Sequence, residues 1–246
     1  MKNLKIAAIF LLIISSGIAH SQKKKVAVIA FYADKVIDLS EVDASADFIA
    51  KNTALSDNPD FNLSNPLNKF HEAFFNNYVN EFDFELVPEE KVLELPEYKK
   101  FKAEYGDYKN IGGQEAFETI DGYKVIQSYG ERLEVKNIKP IAEALGVDAI
   151  MFVRLNYRFN KTGIGKLGYF SIQAVVSLSL YSKNNKSIFQ FSELAGSKKK
   201  AAMVGGLPVM TPKKIQPMCD SATDELIKDM NKKIDRLSKK ANKKLN

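Results

Sequence analysis

Six acidic residues carry the only pattern in this sequence that suggests catalysis by side-chain carboxylates: Asp34, Asp38, Glu41, Glu89, Glu90 and Asp148. Two carboxyl groups that face each other across a cleft can act as general acid and base or as nucleophile, as in glycoside hydrolysis. Their separation in space decides this chemistry, and spacing along the chain does not give it. A carboxylate-dependent hydrolase therefore stays one alternative, and no residue is assigned as catalytic.

Asp148 is a special case among these acids, because it stands at the entrance of a predicted strand. Capping and turn hydrogen bonding are the commoner reasons for an aspartate at such a position. We therefore expect Asp148 to serve the turn.

Histidine and cysteine chemistry has few candidates in this chain. The sequence contains two histidines and one cysteine, Cys219. His20 precedes a predicted cleavage site, which leaves His71 as the only histidine of the processed chain. A zinc site or a catalytic dyad needs further ligands or a partner. His71 is therefore expected to pack on its helix, and Cys219 cannot form an internal disulfide.

An acidic loop resembles a calcium ligand set in composition, with oxygen-bearing side chains at Asp57, Asn58, Asp60 and Asn62. Calcium loops of the EF-hand type need a D-x-[DN]-x-[DN]-G pattern in which glycine makes the sharp turn. This segment has neither the spacing nor the glycine. The sequence predicts a solvated loop and no metal site.

Gly163, Gly165 and Gly168 spell the G-x-G-x-x-G pattern of dinucleotide-binding folds. In those folds the pattern opens a helix whose amino terminus holds the pyrophosphate. Here apolar and polar residues alternate after the glycines, which is typical of a strand. We predict a hairpin connection and no cofactor.

The amino terminus has the three regions of a cleaved secretory signal. Lys2 and Lys5 precede the apolar run Ile6–Ile14, and small residues lead to a cleavage site predicted after Ser21. No cysteine lies near the cut, so a lipoprotein is not indicated. We expect residues 1–21 to be removed and the product to be a soluble periplasmic or outer-envelope protein without a transmembrane helix.

Charge excludes nucleic acid as the expected partner. The formal charge is +6, and removal of Lys2 and Lys5 with no acidic residue lowers it by two, to +4. Such a modest excess is typical of a solvated basic surface. Peripheral contact with an anionic membrane is compatible with it.

The first half of the processed chain predicts a strand at Val26–Phe31 and a short helix within Val42–Leu55. A helix begins near Pro66 with Ser64 or Asn65 as its cap. The stripe that this helix buries contains Leu67, Phe70, Phe74 and Tyr78, widened by Phe75, Val79 and Phe82. A strand over Phe82–Pro88, two short helices ending near Leu95 and Tyr105, and a helical turn at Gln114–Ile120 follow.

The second half contains the clearest patterns. A helix ends at Gly146 and leads to a core strand at Val147–Val153. Residues 170–180 alternate with period two, and Ser187–Ala195 is predicted to pair with them across a polar turn. A final amphipathic helix is expected from Ser221, with Asp224 completing a near capping box, and a basic tail at Lys239–Asn246 is expected to fray.

These elements predict an α/β fold, with some α+β character, around a mixed sheet of about five strands. Parallel crossovers come first and an antiparallel hairpin follows, with helices packed on the sheet. Residues 22–246 are expected to form a single domain, with insertions near 32–64 and 106–135 and a loop at 197–218.

The unit Ile141–Leu155, "IAEALGVDAIMFVRL", followed by a long hairpin and a closing amphipathic helix, resembles a family of bacterial envelope domains. That family includes the TolB amino-terminal domain, the curli secretion protein CsgG and the penicillin-binding-protein activator LpoB. The resemblance implies docking to envelope proteins or assembly into rings, without catalytic residues.

The leading hypothesis is therefore a non-enzymatic exported protein that binds or scaffolds an envelope partner. Its predicted binding surfaces are Gly106–Val135 and Ala201–Met210. An alternative places the hairpin of residues 168–196 in the outer membrane as part of an oligomeric secretion pore, because its length suits membrane strands. A homo-oligomer is compatible with both.

Overall fold

The computed structural model describes residues 23–42, 45–102, 116–126, 139–164, 167–184, 186–203 and 209–245. The predicted signal at residues 1–21 lies outside the described residues, as does most of the predicted insertion at 106–135.

Among the described residues, seven strands form one mixed sheet. They are β1 (Lys24–Asp34), β2 (Phe84–Leu86), β3 (Phe117–Thr119), β4 (Ala149–Ile164), β5 (Leu167–Ser182), β6 (Ser187–Gly196) and β7 (Ala201–Ala202). The main path runs β2-β1-β4-β5-β6, while β3 pairs with β1 and β7 pairs with β5.

Six helices flank the sheet among the described residues. They are α1 (Ala46–Ser56), α2 (Ser64–Ala73), α3 (Glu89–Leu93), α4 (Pro96–Lys100), α5 (Lys139–Leu145) and α6 (Pro212–Leu245). A π-helical turn at Phe74–Tyr78 and a 3₁₀ turn at Val79–Glu81 continue α2.

The strand directions confirm the predicted α/β fold. β1 pairs in parallel with both β2 and β4, whereas β4, β5 and β6 form an antiparallel meander. The helices between the parallel strands make the crossovers, and short turns connect the antiparallel ones.

The turn between α5 and β4 follows the sequence prediction closely. Gly146 has a φ of 62°, a conformation that favours glycine. Its N–H donates to the Glu143 carbonyl at 3.1 Å, and the Val147 N–H donates to the Ala142 carbonyl at 3.1 Å. This is a Schellman motif, which ends the helix and directs the chain into β4.

The larger core lies on one side of the sheet, which we call the packed face. Alternate residues of β4 and β5, including Leu155, Phe159, Ile172 and Leu178, are completely buried there. α1, α2 and α6 cover them, so the stripe predicted on α2 is confirmed by the burial of its central aromatic side chains.

A smaller core lies on the opposite side. α3, α4, α5 and the segment 116–126 cover β1 and the first residues of β4. Ile150 and Phe152 are the last β4 side chains in this cluster, so the described elements cover only the first part of the strand on this side.

Two predictions about strands need correction. The strand predicted at Val147–Val153 starts at Ala149 and continues to Ile164, because β5 pairs with it along its whole length. The helical turn predicted at Gln114–Ile120 is wrong where the structure describes it. β3 forms there instead and pairs antiparallel with β1. The Phe117 ring packs edge-on against the Tyr32 ring, with their centroids 5.6 Å apart.

The final helix begins earlier and ends later than predicted. Ser221 is not its cap but lies inside α6, which starts at Pro212 within the predicted 197–218 loop. Pro217 has no N–H and cannot donate one helical hydrogen bond. Burial of Ile215, Met218 and Cys219 offsets this loss.

The basic tail does not fray as predicted, since α6 stays helical to Leu245. Ala241 is buried, and the Asn242 side chain accepts a hydrogen bond from the Asp83 N–H at 2.9 Å. The predicted cap of α2 is also wrong. Leu63 precedes the helix, and Ser64 and Asn65 are its first residues.

Candidate functional site

The side of the β4–β5–β6 meander opposite α6 forms the candidate site, and we call it the open face. Among the described helices only α6 packs extensively on β5 and β6, and it lies on the packed face. The side chains of the open face are Arg154, Asn156, Arg158, Asn160, Tyr169, Ser171, Gln173, Val175, Ser177, Gln190, Ser192 and Leu194. Amides, hydroxyls and arginines dominate this surface.

The strand register creates the open face by simple alternation. Arg154 lies opposite Ser177, and Ser177 lies opposite Ser192 on β6. The two serine hydroxyl oxygens are 3.0 Å apart. Because side chains alternate between the two faces of a strand, apolar residues on one face place the polar residues on the other. Ser171 and Ser179 are buried there, and the other polar side chains keep at least partial exposure.

Arg158 is the more exposed of two arginines on this face. Its Nε donates to Gln173 Oε1 at 2.7 Å, and its Nη1 lies 4.0 Å from Glu41 Oε1. The segment after β1 brings Glu41 here, because the Asp38 backbone bonds to β4 on both sides of Arg158. The Asp38 carboxylate accepts from the N–H and hydroxyl of Ser40 and holds that turn.

Arg154 is tied to a buried carboxylate. Its Nε and Nη2 both donate to Asp34 Oδ2, the first at 2.9 Å. Asp34 is 3% exposed, and its Oδ1 has no hydrogen-bond partner within the part of the chain that the structure describes. Burial raises the pKa of Asp34, while the Arg154 guanidinium opposes that rise. Asp34 thus positions Arg154 and is closed to a substrate.

Two large apolar side chains project from the open face. Tyr169 is 58% exposed and Leu194 is 42% exposed. The third large hydrophobic residue of comparable exposure, Ile49 at 51%, lies on α1. Apolar anchors surrounded by arginine and amide groups are typical of protein-binding surfaces.

A second cluster joins His71 to one of the predicted carboxylates. His71 Nε2 lies 2.7 Å from Glu89 Oε1, and the Tyr123 hydroxyl donates to the same oxygen at 2.8 Å. The imidazole contacts the Phe31 and Phe75 rings at centroid distances of 4.9 and 4.7 Å. Burial and the Glu89 charge raise the pKa of Tyr123, so its phenol stays neutral.

This cluster connects α2, α3 and the segment 116–126, which supports the packing role predicted for His71. A glutamate can orient an imidazole as a general base, but Cys219 lies elsewhere, inside α6. Sequence reasoning missed the contact, because 18 residues separate His71 from Glu89 and no local pattern joins them.

The remaining acids have separate surroundings. Asp148 Oδ2 accepts from the Lys25 N–H at 2.9 Å, so the carboxylate joins the start of β4 to β1 instead of serving the predicted turn. Glu90 lies in the first turn of α3, where the helix dipole favours a negative charge. The predicted carboxylates are thus distributed over several partners.

The loop with the calcium-like composition, Asp57–Asn62, uses its side chains for turns. Asn58 Oδ1 accepts from the Asp60 N–H at 2.9 Å, and Asn62 Oδ1 accepts from the Ser64 N–H at 2.7 Å. Asp57 Oδ1 lies 3.4 Å from the Ser56 hydroxyl. Within the described residues, no group of three or more His, Cys, Asp or Glu side chains could hold a metal ion.

The glycine motif forms the end of the β4–β5 hairpin, as predicted. Gly163 pairs with Gly168, while Gly165 lies outside the described residues. A Cβ at Gly168 would be 2.5 Å from the Thr162 carbonyl oxygen, so close approach of the two strands requires glycine there.

Cys219 is completely buried on the side of α6 that packs on the sheet, and burial raises the pKa of its thiol. A protonated, inaccessible thiol is inert. The predicted surface Ala201–Met210 is described only in part, with β7 pairing beside Tyr169.

No protein-family model matches the chain, and no curated protein matches it at a significant level. The described helices include none with the length and apolar character that a membrane span requires.

Proposed function

We propose that this chain is a non-enzymatic protein of the bacterial envelope that binds a protein partner through the open face. The observation that carries the proposal is the pair of exposed apolar anchors, Tyr169 and Leu194, on a surface of arginine and amide side chains. Such a surface offers apolar area at its anchors and hydrogen bonds around them, as protein interfaces do.

The ordered surroundings of the arginines strengthen this proposal. Asp34 holds Arg154, and Gln173 holds Arg158, so less side-chain entropy is lost when a partner binds. Arginine held in this way can donate bidentate hydrogen bonds to a carboxylate of the partner.

The envelope location rests on sequence. The signal-like residues 1–21 and the resemblance to TolB, CsgG and LpoB domains both support export and docking in the periplasm. A homo-oligomer remains compatible with this proposal.

The two alternatives have weaker support. In a pore, the apolar side chains of β5 would face lipid, but Ile172, Val176 and Leu178 pack beneath α6 here. In a hydrolase, two carboxylates would face a substrate, but Asp34 is enclosed and Asp148 bonds the Lys25 N–H of β1.

Site-specific photo-crosslinking in cells tests the proposal. Tyr169 and Leu194 are replaced, one at a time, by a photoreactive phenylalanine analogue, and Ile49 is the matched control because it is equally exposed on α1. We expect one discrete crosslinked protein from positions 169 and 194 and none from 49. Crosslinks of equal yield at all three positions, or at position 49 alone, would contradict the proposal.

A further inference from the structure

The outer edge of β6 presents backbone groups that no described strand uses. The Ser197 N–H donates to the Ile172 carbonyl of β5 at 2.8 Å. The backbone groups of Ser197, and of every second residue before it in β6, are therefore directed toward β5. In an antiparallel pair, residues alternate between bonding the neighbour and pointing away from it. The backbone groups of Gln190, Ser192 and Leu194 therefore point outward.

From Phe189 onward this edge lacks the devices that usually prevent strand addition, because the register irregularity of the β5–β6 pairing lies before it, opposite Leu180 and Tyr181. Natural edge strands carry lysine, proline or bulges, or they are very short. β6 has ten residues, contains no lysine or proline, and its one charged residue, Glu193, turns toward α6. An unprotected edge of this length accepts an additional strand readily.

A row of positive charge runs beside the same edge. α6 lies antiparallel to β6, since the Lys198 N–H donates to Ser221 Oγ at 3.2 Å while Glu193 bonds Lys233 at 2.7 Å. Arg236 lies 3.9 Å from the same glutamate and is 65% exposed.

Beyond Arg236 the helix carries Lys239, Lys240, Lys243 and Lys244, and no acidic residue follows as far as Leu245. Helical spacing places Lys240 and Lys244 on the side of Arg236. Only Lys239 has a described acidic partner, Asp235 at 2.9 Å. Asp83 also lies at this end of α6, since its N–H donates to the Asn242 side chain. The six cations from Lys233 to Lys244 still outnumber the three acids Glu193, Asp235 and Asp83.

We infer that β6 binds an extended, acidic segment of the partner protein as an additional strand. This inference rests on the proposed function. Main-chain hydrogen bonds to Gln190, Ser192 and Leu194 would fix the register of the added strand relative to β6. Carboxylates at every second position of the added strand would face the cations of α6, because successive side chains point to opposite faces.

A second copy of this chain fits the edge less well. Two β6 strands paired antiparallel about an axis normal to the sheet would place both α6 helices on the same side. Their cationic rows would then lie close together and repel each other. Charge complementarity thus favours an acidic segment.

The test uses the signal-free chain and a fluorescent nine-residue peptide in which glutamate and valine alternate. The control peptide has lysine in place of glutamate. Anisotropy titrations at low salt are expected to detect the acidic peptide and not the basic one, with affinity falling as salt rises.

Ser192→Pro removes one outward N–H while leaving the β5–β6 bonds in place. Ser192→Ala is its matched control, since it removes the hydroxyl that contacts Ser177 and keeps the N–H. We expect at least tenfold weaker peptide binding for Ser192→Pro and a change below about twofold for Ser192→Ala.

A second measurement does not depend on the folding of the variant. An acidic peptide N-methylated at alternate residues keeps its charge but cannot donate along one edge, and it should bind at least tenfold more weakly. Equal binding of this peptide, or of Ser192→Pro with an unchanged circular dichroism spectrum, would overturn strand addition.

Three other results would also overturn it. In the first, wild type and Ser192→Pro bind heparin or phosphatidylglycerol vesicles equally well, and these polyanions also displace the acidic peptide. The peptide would then be held by charge alone. Another is a dimer, measured by light scattering, that Ser192→Pro dissolves. The third is an unchanged crosslink from Tyr169 in Ser192→Pro cells, which would leave the proposed function intact and reject the edge alone.

Discussion

Leu178 and Ser177 are neighbours on β5, yet they meet opposite environments. Leu178 is completely buried beneath α6, while the Ser177 hydroxyl lies on the open face, 3.0 Å from that of Ser192. The same contrast repeats along β4, where Leu155 and Tyr157 are buried and Asn156 and Arg158 keep partial exposure. One set of strands thus supplies stability on one face and recognition on the other.

This separation has a physical cause. The packed face of β5 presents apolar side chains to three helices, so it provides much of the burial that stabilises the fold. The open face makes hydrogen bonds that partly replace bonds to water, and these contribute little net stability. Substitutions on the two faces should therefore have very different effects.

The largest expected effect is that of Leu178→Ala. Loss of a completely buried leucine side chain leaves a cavity and should lower the free energy of unfolding by about 3–5 kcal/mol. Ser177→Ala is the matched control, one residue away, and should change it by no more than about 0.5 kcal/mol. Urea unfolding followed by circular dichroism measures both. Similar losses for the two variants would show that the faces do not differ as described.

Arg154→Gln should have the next largest effect, because Arg154 lies on the open face but pairs with buried Asp34. Breaking a fully buried pair costs about 3–5 kcal/mol. Arg154 keeps 19% exposure, so we expect a loss of about 2–3 kcal/mol near neutral pH. Equilibrium unfolding in urea measures it.

The cost of Arg154→Gln should also grow with pH. Burial already raises the pKa of Asp34 above its ordinary value, and removal of the guanidinium raises it further. A carboxyl group whose pKa is raised by folding contributes full stability below its unfolded pKa and loses it as pH rises through the folded pKa. The deficit should therefore be smallest near pH 4, and Asp34→Asn in the same background should abolish its pH dependence. A deficit that is constant from about pH 4 to about pH 8 would contradict this account.

Sequence reasoning succeeded where a pattern is local. The alternation at residues 170–180 predicts both the strand and its buried side, and Gly146 predicts the turn before β4. It failed where distant contacts decide the outcome. Ser221, three residues before Asp224, suggests a helix start there, but burial of Ile215 and Met218 against the sheet extends α6 to Pro212.

The candidate site was harder to predict than the fold for a related reason. The apolar face of a strand is visible in its sequence, but its polar face has the same appearance whether or not another element covers it. Among the described elements on this side, α3, α4 and α5 cover β4 no further than Phe152. The pairing of Arg154 with Asp34, separated by 120 residues, likewise depends on β1 and β4 becoming neighbours.

Arg158→Gln should have the smallest effect on stability and the most informative one on function. Arg158 shares the open face and the residue type of Arg154, but its acidic neighbour Glu41 is 56% exposed and 4.0 Å away. Exposed ion pairs contribute about 0–1 kcal/mol, so we expect a loss below about 0.5 kcal/mol in urea unfolding. If the open face binds a partner, the same substitution should still reduce the crosslink formed from Tyr169 at least severalfold. A stability loss equal to that of Arg154→Gln, or an undiminished crosslink, would mean that Arg158 belongs to the framework of the fold and not to its binding surface.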